Sequence, residues 1–232
     1  MIKGVIFDFD NTLMDFMKMK RAAVEAAVDA MIDAGLTYKK SDMIEKIYKI
    51  YWDEGIEDQF IFDKVLTKEF GKIDYKILAS GIIGYRRAKD GTLALYPHVQ
   101  LTLTGLVRRG IKMAVVSDAP RLPVWLRICG LGLQHYFDAV VTFDDTGAKK
   151  PDAKPFLAAL ERLKLRPEEA IMVGDWVERD MVGAKKVGLK TVFARYGDLQ
   201  NTQNVEADYE IDDIQQLLDI VPQTQPVPST NP

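Results

Sequence analysis

The sequence predicts an α/β protein with a parallel five-stranded core and a helical domain inserted after the first strand. Three observations lead there. Short, wholly apolar runs recur along the chain, one near the N-terminus and four beyond residue 110. Between the later runs lie stretches of helical period, the alternation that repeated βα units produce. From about residue 15 to residue 93 the strand-like runs disappear and helical spacing alone remains.

The first strand is read from GVIFDF at the start of the chain, rich in the β-branched and aromatic residues that suit a buried strand. Val24, Ala27, Val28 and Met31 then make a helical stripe closed by Gly35. A second stripe is Ile44, Ile47, Tyr48 and Tyr51, and a third is Phe62, Val65, Leu66 and Phe70. The fourth apolar stretch, around Ile77 to Tyr85, is interrupted by Gly81 and Gly84. A parallel pair of strands needs a crossover, but roughly eighty residues far exceeds one crossover helix, so a small helical domain is the economical reading.

Val99, Leu103, Leu106 and Val107 form the next stripe, ended by Gly110, and IKMAVV (111–116) follows as the second strand. DAVVT (138–142), AIMVG (170–174) and KTVFA (190–194) complete the five, with Phe156, Ala159, Leu160 and Leu163 marking a helix between two of them. The closing VPQTQPVPSTNP has four prolines in twelve residues and no core-forming pattern, and is expected to be disordered. The expected division is therefore a core of residues 1–14 and 94–221, a helical domain of 15–93 and a tail of 222–232.

Composition bounds the function. A chain of 232 residues, 47% hydrophobic and 28% charged, is expected to fold around a substantial core. A net charge of -3 gives no general attraction to nucleic acid or to an acidic membrane surface. The apolar stretch at the N-terminus is too short for a secretory or membrane segment, and a single cysteine, Cys129, forms no internal disulfide. A cytoplasmic protein is expected, with Cys129 in LRICGLGL read as a buried, inert thiol.

In a parallel sheet the carboxyl ends of the strands share one edge, where ligands bind. The residues after each strand therefore belong together: Asp8 and Asp10 after the first, Ser117 and Asp118 after the second, and Asp175 with Asp180 after AIMVG. Lys150 lies in a turn, GAKKPDAKPF, that leads into a helix. Acids converging on one edge repel one another unless a cation joins them, and hard oxygen ligands suit Mg2+. Ser117, Lys150 and backbone N–H groups at helix N-termini suit the opposite partner, a phosphate.

The set DFDNTL (8–13), VVSDA (115–119), KKP (149–151) and GDWVERD (174–180) resembles the four ordered motifs of the haloacid dehalogenase-like (HAD) hydrolases. The resemblance runs from residue 1 to about 220 and implies a Rossmann-like core with a helical C1 cap. It implies a Mg2+-dependent phosphatase of a small phosphorylated metabolite, with Asp8 as the nucleophile that forms an aspartyl-phosphate and Asp10 as general acid and base. The implied metal ligands are the carboxylates of Asp8 and Asp175 and the backbone carbonyl of Asp10. Ser117, Asp118 and Lys150 form the implied phosphate-binding set, and Asp180 supports Lys150 or a metal-bound water.

Plainer roles compete. Asp8 and Asp10 could cap the next helix, Ser117 and Asp118 could cap RLPVWLRI, and Lys149 competes with Lys150, which is preferred because it directly precedes Pro151. Glu178 and Arg179 read as the solvated first turn of a helix, and Trp176 is bulkier than the residue many relatives place there. GYRRAK (84–89) reads first as a solvated face, with substrate contacts from Arg86 and Arg87 as the alternative. His98 and His135 are not expected to be catalytic. A haloacid dehalogenase would lack the second acid, which is present as Asp10, whereas a phosphomutase or a non-catalytic phosphate-binding module stays open.

Overall fold

In the computed structural model, which describes residues 1–221, the chain forms two compact units. One is Met1–Asp15 with the described residues from Leu95 on, and the other is Phe16–Ala94. The Pro-rich segment 222–232, read as a disordered tail, lies outside the described residues.

The chain starts the sheet with β1 (Gly4–Phe7), all four residues buried. It then leaves for the helical unit: α1 (Phe16–Asp33), α2 (Lys40–Glu54), α3 (Ile61–Phe70) and α4 (Tyr75–Thr92). Their shared core is Val24, Ala27, Val28 and Met31 of α1, Met43, Ile47, Ile50 and Tyr51 of α2, Phe62, Val65 and Leu66 of α3, and Leu78 of α4. The second stripe is thus rotated slightly from the expected one, with Ile44 and Tyr48 packed at its margin. Phe70 is 41% exposed, because it is the last residue of α3 before Gly71 turns the backbone left-handed. Buried Lys20 of α1 is held by aromatic groups of the same unit: its Nζ lies 3.0 Å from the Tyr85 hydroxyl and 4.1 Å from the Tyr51 ring centre.

Gly81 and Gly84 do not interrupt α4, which runs through both. They let it approach α1: a Cβ on Gly84 would lie 2.6 Å from the Ala26 carbonyl oxygen and 2.9 Å from the Ala30 Cβ. An isolated glycine in a helix weakens it by about 1 kcal/mol relative to alanine, and here close backbone packing repays that cost.

After α5 (Val99–Arg108) the chain rejoins the sheet at β2 (Lys112–Val116), followed by α6 (Arg121–Gly130), β3 (Ala139–Val141), a one-turn α7 (Phe143–Thr146) and α8 (Ala153–Leu163). β4 (Ala170–Gly174) leads through a π-helical turn, Val177–Met181, into α9 (Val182–Lys186), and β5 (Lys190–Ala194), β6 (Tyr209–Ile211) and α10 (Leu217–Ile220) follow. The strands are all parallel, in the order β3-β2-β1-β4-β5-β6. Six strands therefore replace the expected five. β6 escapes notice because it has only three residues, two of them exposed, and so offers no apolar run. One face of the sheet buries Ile6, Ala114, Val116, Val141 and Met172 against Phe156, Ala159, Leu160 and Leu163 of α8.

Cys129 is exposed, not buried as its apolar neighbours imply. The inward side of α6 is defined by Val124, Arg127 and Ile128, and the next residue, about 100° further round the helix, faces outward. Among the described residues no helix is long and apolar enough to cross a membrane.

Alanine at position 84 should destabilise the protein despite its better helix propensity. We expect Gly84→Ala to lower unfolding free energy by about 1–3 kcal/mol in urea titrations, the range for overpacking a close contact. Unchanged or increased stability would mean that the α1–α4 approach is not tight.

Candidate active site

The sheet order reverses at β1: successive strands β2 and β3 are added on one side, β4 and β5 on the other. At such a switch point the loops leaving two adjacent strands part and open a crevice at their carboxyl ends. The register pairs Phe7 with Val173, and the Asp8 N–H donates to the Val173 carbonyl at 2.8 Å. Asp8 and Asp175 therefore emerge side by side, each directly beyond its strand.

Asp8, Asp175 and Asp180 bring one carboxylate oxygen each to within 4.8 Å of one another. Asp180 is fully buried and Asp175 nearly so. The Lys150 Nζ, 2% exposed as a side chain, lies 2.7 Å from Asp8 Oδ1 and 2.6 Å from Asp180 Oδ1. The second oxygen of Asp180 accepts the Trp176 N–H at 3.1 Å. Thr12 donates its hydroxyl to Asp175 Oδ1 at 2.9 Å. Gly174 has no Cβ because Asp180 occupies the place where one would stand, and Gly197 is likewise pressed against the Asn11 carbonyl and the Asp175 side chain.

Electrostatics within the cluster are unbalanced. Burial, followed by the charges of Asp8 and Asp180, pushes the Asp175 carboxyl well above the usual carboxylate range, against the Thr12 hydrogen bond. Burial also pushes Asp180 up to about 7, although Lys150 pulls the other way. Burial disfavours the charged form of Lys150, yet Asp180, Asp8 and Asp118 together hold it above the ordinary lysine value. One ammonium cannot neutralise three carboxylates. A cation bound by hard oxygen donors would, and a divalent ion of the Mg2+ type fits this donor set.

The remaining candidates are placed around this centre. Ser117, 5% exposed, follows β2, and its Oγ accepts the Ala119 N–H at 3.2 Å, which leaves its own proton for donation. Asp118 accepts the Lys150 backbone N–H at 2.8 Å and so ties the Lys150 turn to the end of β2. Its other oxygen lies 3.6 Å from Arg179, whose guanidinium sits 3.7 Å from the Trp176 ring centre. Asp10 presents its carboxylate to Arg127 of α6, with Nη1 3.1 Å from Oδ1 and 2.8 Å from Oδ2. Arg86 and Arg87 lie exposed on α4 of the helical unit, whereas the carboxylate cluster is built wholly from the other unit.

Two residues of this arrangement are absent from the sequence reading. Thr12 lies inside the quoted DFDNTL motif but carries no spacing signal of its own. Arg127 had one: on the inward stripe of α6, between Val124 and Ile128, a charged residue occupies a position that packing alone would fill with an apolar one.

A family model described as haloacid dehalogenase-like hydrolase matches residues 5–194, which includes every residue of the cluster. The chain belongs to this family. It is 36% identical over 222 residues to a glyceraldehyde 3-phosphate phosphatase of Methanocaldococcus jannaschii, covering 95% of this chain and 97% of that protein. A glyceraldehyde 3-phosphate phosphatase of Pyrococcus furiosus is 33% identical, with 95% and 93% covered. A crystal structure of a HAD phosphatase from Thermococcus onnurineus superposes with a TM-score of 0.73 at 28% identity, covering 94% of this chain and 97% of that one. At 22% identity and a TM-score of 0.70, the magnesium-bound YfnB of Bacillus subtilis shares the fold over 94% of this chain and 98% of its own.

The raised Asp180 carboxyl has a measurable sign. Between the ordinary value of 3.8 and about 7, the unfolded chain has released this proton while the folded chain retains it, so this group's contribution to stability is lost as pH rises across that window. A divalent cation bound beside these acids would offset the charge of Asp8 that adds to burial, and so favour the ionised form. We expect Mg2+ to raise the thermal midpoint more at pH 8 than at pH 5, and at a hundredfold excess over its Kd to add roughly 2.7 kcal/mol of unfolding free energy. Equal shifts at the two pH values would sever the cation from these acids.

Proposed function

We propose that this HAD-like hydrolase is a Mg2+-dependent phosphatase of the cytoplasm that passes the phosphoryl group of a small metabolite first to Asp8 and then to water. The chain is a hydrolase of phosphoric monoesters, the class named for its relatives in M. jannaschii and P. furiosus. The observation that carries the mechanism is the convergence of Asp8, Asp175, Asp180 and Lys150 at the adjoining ends of β1 and β4.

In this reading an Asp8 oxygen attacks phosphorus as the ester P–O bond breaks, while Asp10 gives a proton to the departing oxygen. Asp10 then takes a proton from water, whose oxygen attacks the phosphorus of the aspartyl-phosphate, releasing inorganic phosphate and restoring Asp8. Lys150, already 2.7 Å from Asp8, offsets the charge that builds on the phosphoryl oxygens, and Ser117 donates its hydroxyl to one of them. Asp118 serves phosphate binding indirectly, by holding the backbone of Lys150. Asp8 and Asp175, with the Asp10 carbonyl, would hold Mg2+, whose charge lets an anionic nucleophile approach an anionic ester. Asp180 has both oxygens engaged, by Lys150 and by the Trp176 N–H, and steadies the site from behind.

For the substrate, the relatives favour glyceraldehyde 3-phosphate, and the helical unit acts as a cap with Arg86 and Arg87 as its candidate substrate contacts. Phosphate release from a panel of phosphomonoesters that includes glyceraldehyde 3-phosphate, with Mg2+ and with chelator, tests the reading. Wild type should turn over only with metal, and Asp8→Asn should lose activity by roughly a thousandfold or more. Turnover that survives either the chelator or the Asn substitution would refute it.

A further inference from the structure

Arg127 is 2% exposed, on the side of α6 that also buries Val124 and Ile128. Removing a guanidinium from water is costly unless hydrogen bonds to an anion compensate, and an aliphatic residue would fill the same volume without that cost. The anion is Asp10: one Arg127 nitrogen reaches both carboxylate oxygens, at 3.1 and 2.8 Å. The pair spans 117 residues of sequence and joins the loop after β1 to the helix after β2. Nothing in the hydrolytic steps above uses Arg127.

The loop that carries Asp10 explains why an external hold is useful. It turns back on itself, with the Asn11 N–H donating to the Met14 carbonyl and the Leu13 N–H to the Phe9 carbonyl, and Asn11 takes a left-handed φ of 60°. These contacts involve the backbone of the turn, whereas Arg127 meets the Asp10 carboxylate itself. A carboxylate two residues from Asp8, beside a cluster that attracts cations, has an obvious competing use as one more ligand. Asp10 is nonetheless outside the group that Asp8, Asp175 and Asp180 form.

We propose that Arg127 is a positioning residue for proton transfer: it holds the Asp10 carboxyl group in one orientation and apart from the three-acid cluster. The inference rests on the phosphatase reading and extends it. When Asp10 carries the proton on one oxygen, the other oxygen keeps the guanidinium contact. The proton then passes to the leaving oxygen as the ester P–O bond breaks and the Asp8 O–P bond forms. Misplacement of a proton donor by about 1 Å can cost a hundredfold in rate, so the orientation of Asp10 bears directly on turnover.

The test exploits the leaving group. A 4-nitrophenolate departs without a proton, whereas the alkoxide of glyceraldehyde 3-phosphate, or of whichever alkyl phosphate the substrate panel ranks first, needs one. For Arg127→Met we expect kcat/KM on the alkyl ester to fall by roughly a hundredfold, within the usual range for general acid catalysis, while 4-nitrophenyl phosphate falls by less than about threefold. In an Asp10→Asn background, adding Arg127→Met should cost the alkyl ester nothing further. Equal losses on both esters, or a further loss in the double variant, would overturn the inference and leave Arg127 a packing residue. Should Arg127→Met fail to melt cooperatively, Arg127→Lys, which keeps the charge on a similar stem, is read by the same ratio of the two esters. A wild type silent on both esters would bring down the phosphatase reading and this inference with it.

Discussion

Three carboxylates gathered around one buried ammonium leave a net negative charge in a place from which water is nearly excluded. That repulsion is the constraint on which the rest of the core unit depends. Asp175 and Asp180 are both driven toward their neutral forms, chiefly by burial, and Lys150 stays charged only because several acids face it. Such an arrangement is costly to fold, and natural cores avoid it unless a ligand is expected there. The supporting bonds serve to hold it open: Thr12 on Asp175, the Trp176 N–H on Asp180, and Asp118 on the Lys150 backbone.

The sheet makes this gathering possible without strain. Asp8 and Asp175 sit beyond adjacent parallel strands in matched register, so their approach follows from backbone hydrogen bonding alone. Asp180 arrives differently, from a π-helical turn whose fourth residue tucks beneath Gly174. A wider turn is a recognised way to point a side chain where an α-helix would not. Glycine at 174 is required by that side chain and glycine at 197 by the Asn11 carbonyl, so both act through space rather than through backbone conformation.

Much of this was legible because the informative residues follow apolar runs. Asp8, Ser117 and Asp175 each end a strand that the sequence announces, and shared strand polarity then places them on one edge. What stayed hidden lacks such a marker. Thr12 and Arg127 act across 163 and 117 residues, and even the misplaced charge that marks Arg127 on its apolar stripe does not name a partner that far away. Gly81 and Gly84 looked like breaks because propensity speaks only of the isolated helix, whereas their meaning lies in the α1 backbone opposite. β6 was invisible for the opposite reason, being edge structure with little to bury.

The helical excursion is surplus to what the sheet requires. A right-handed crossover from β1 to β2 needs one helix, and α5, with Val99, Thr102, Leu103 and Leu106 buried, already supplies it. Residues Phe16–Ala94 form a unit with a core of its own, so they stabilise themselves and add no strand to the sheet. Loop-closure entropy rises only slowly with length, which makes such an insertion thermodynamically tolerable at any connection. Its position is therefore the informative fact. Of all the connections in the sheet, the excursion departs from the one that begins with Asp8 and Asp10, a few residues after the proposed nucleophile and proton donor. A domain that served stability alone would have no reason to leave from that strand. The proposed cap role, control of which ester reaches Asp8, supplies such a reason.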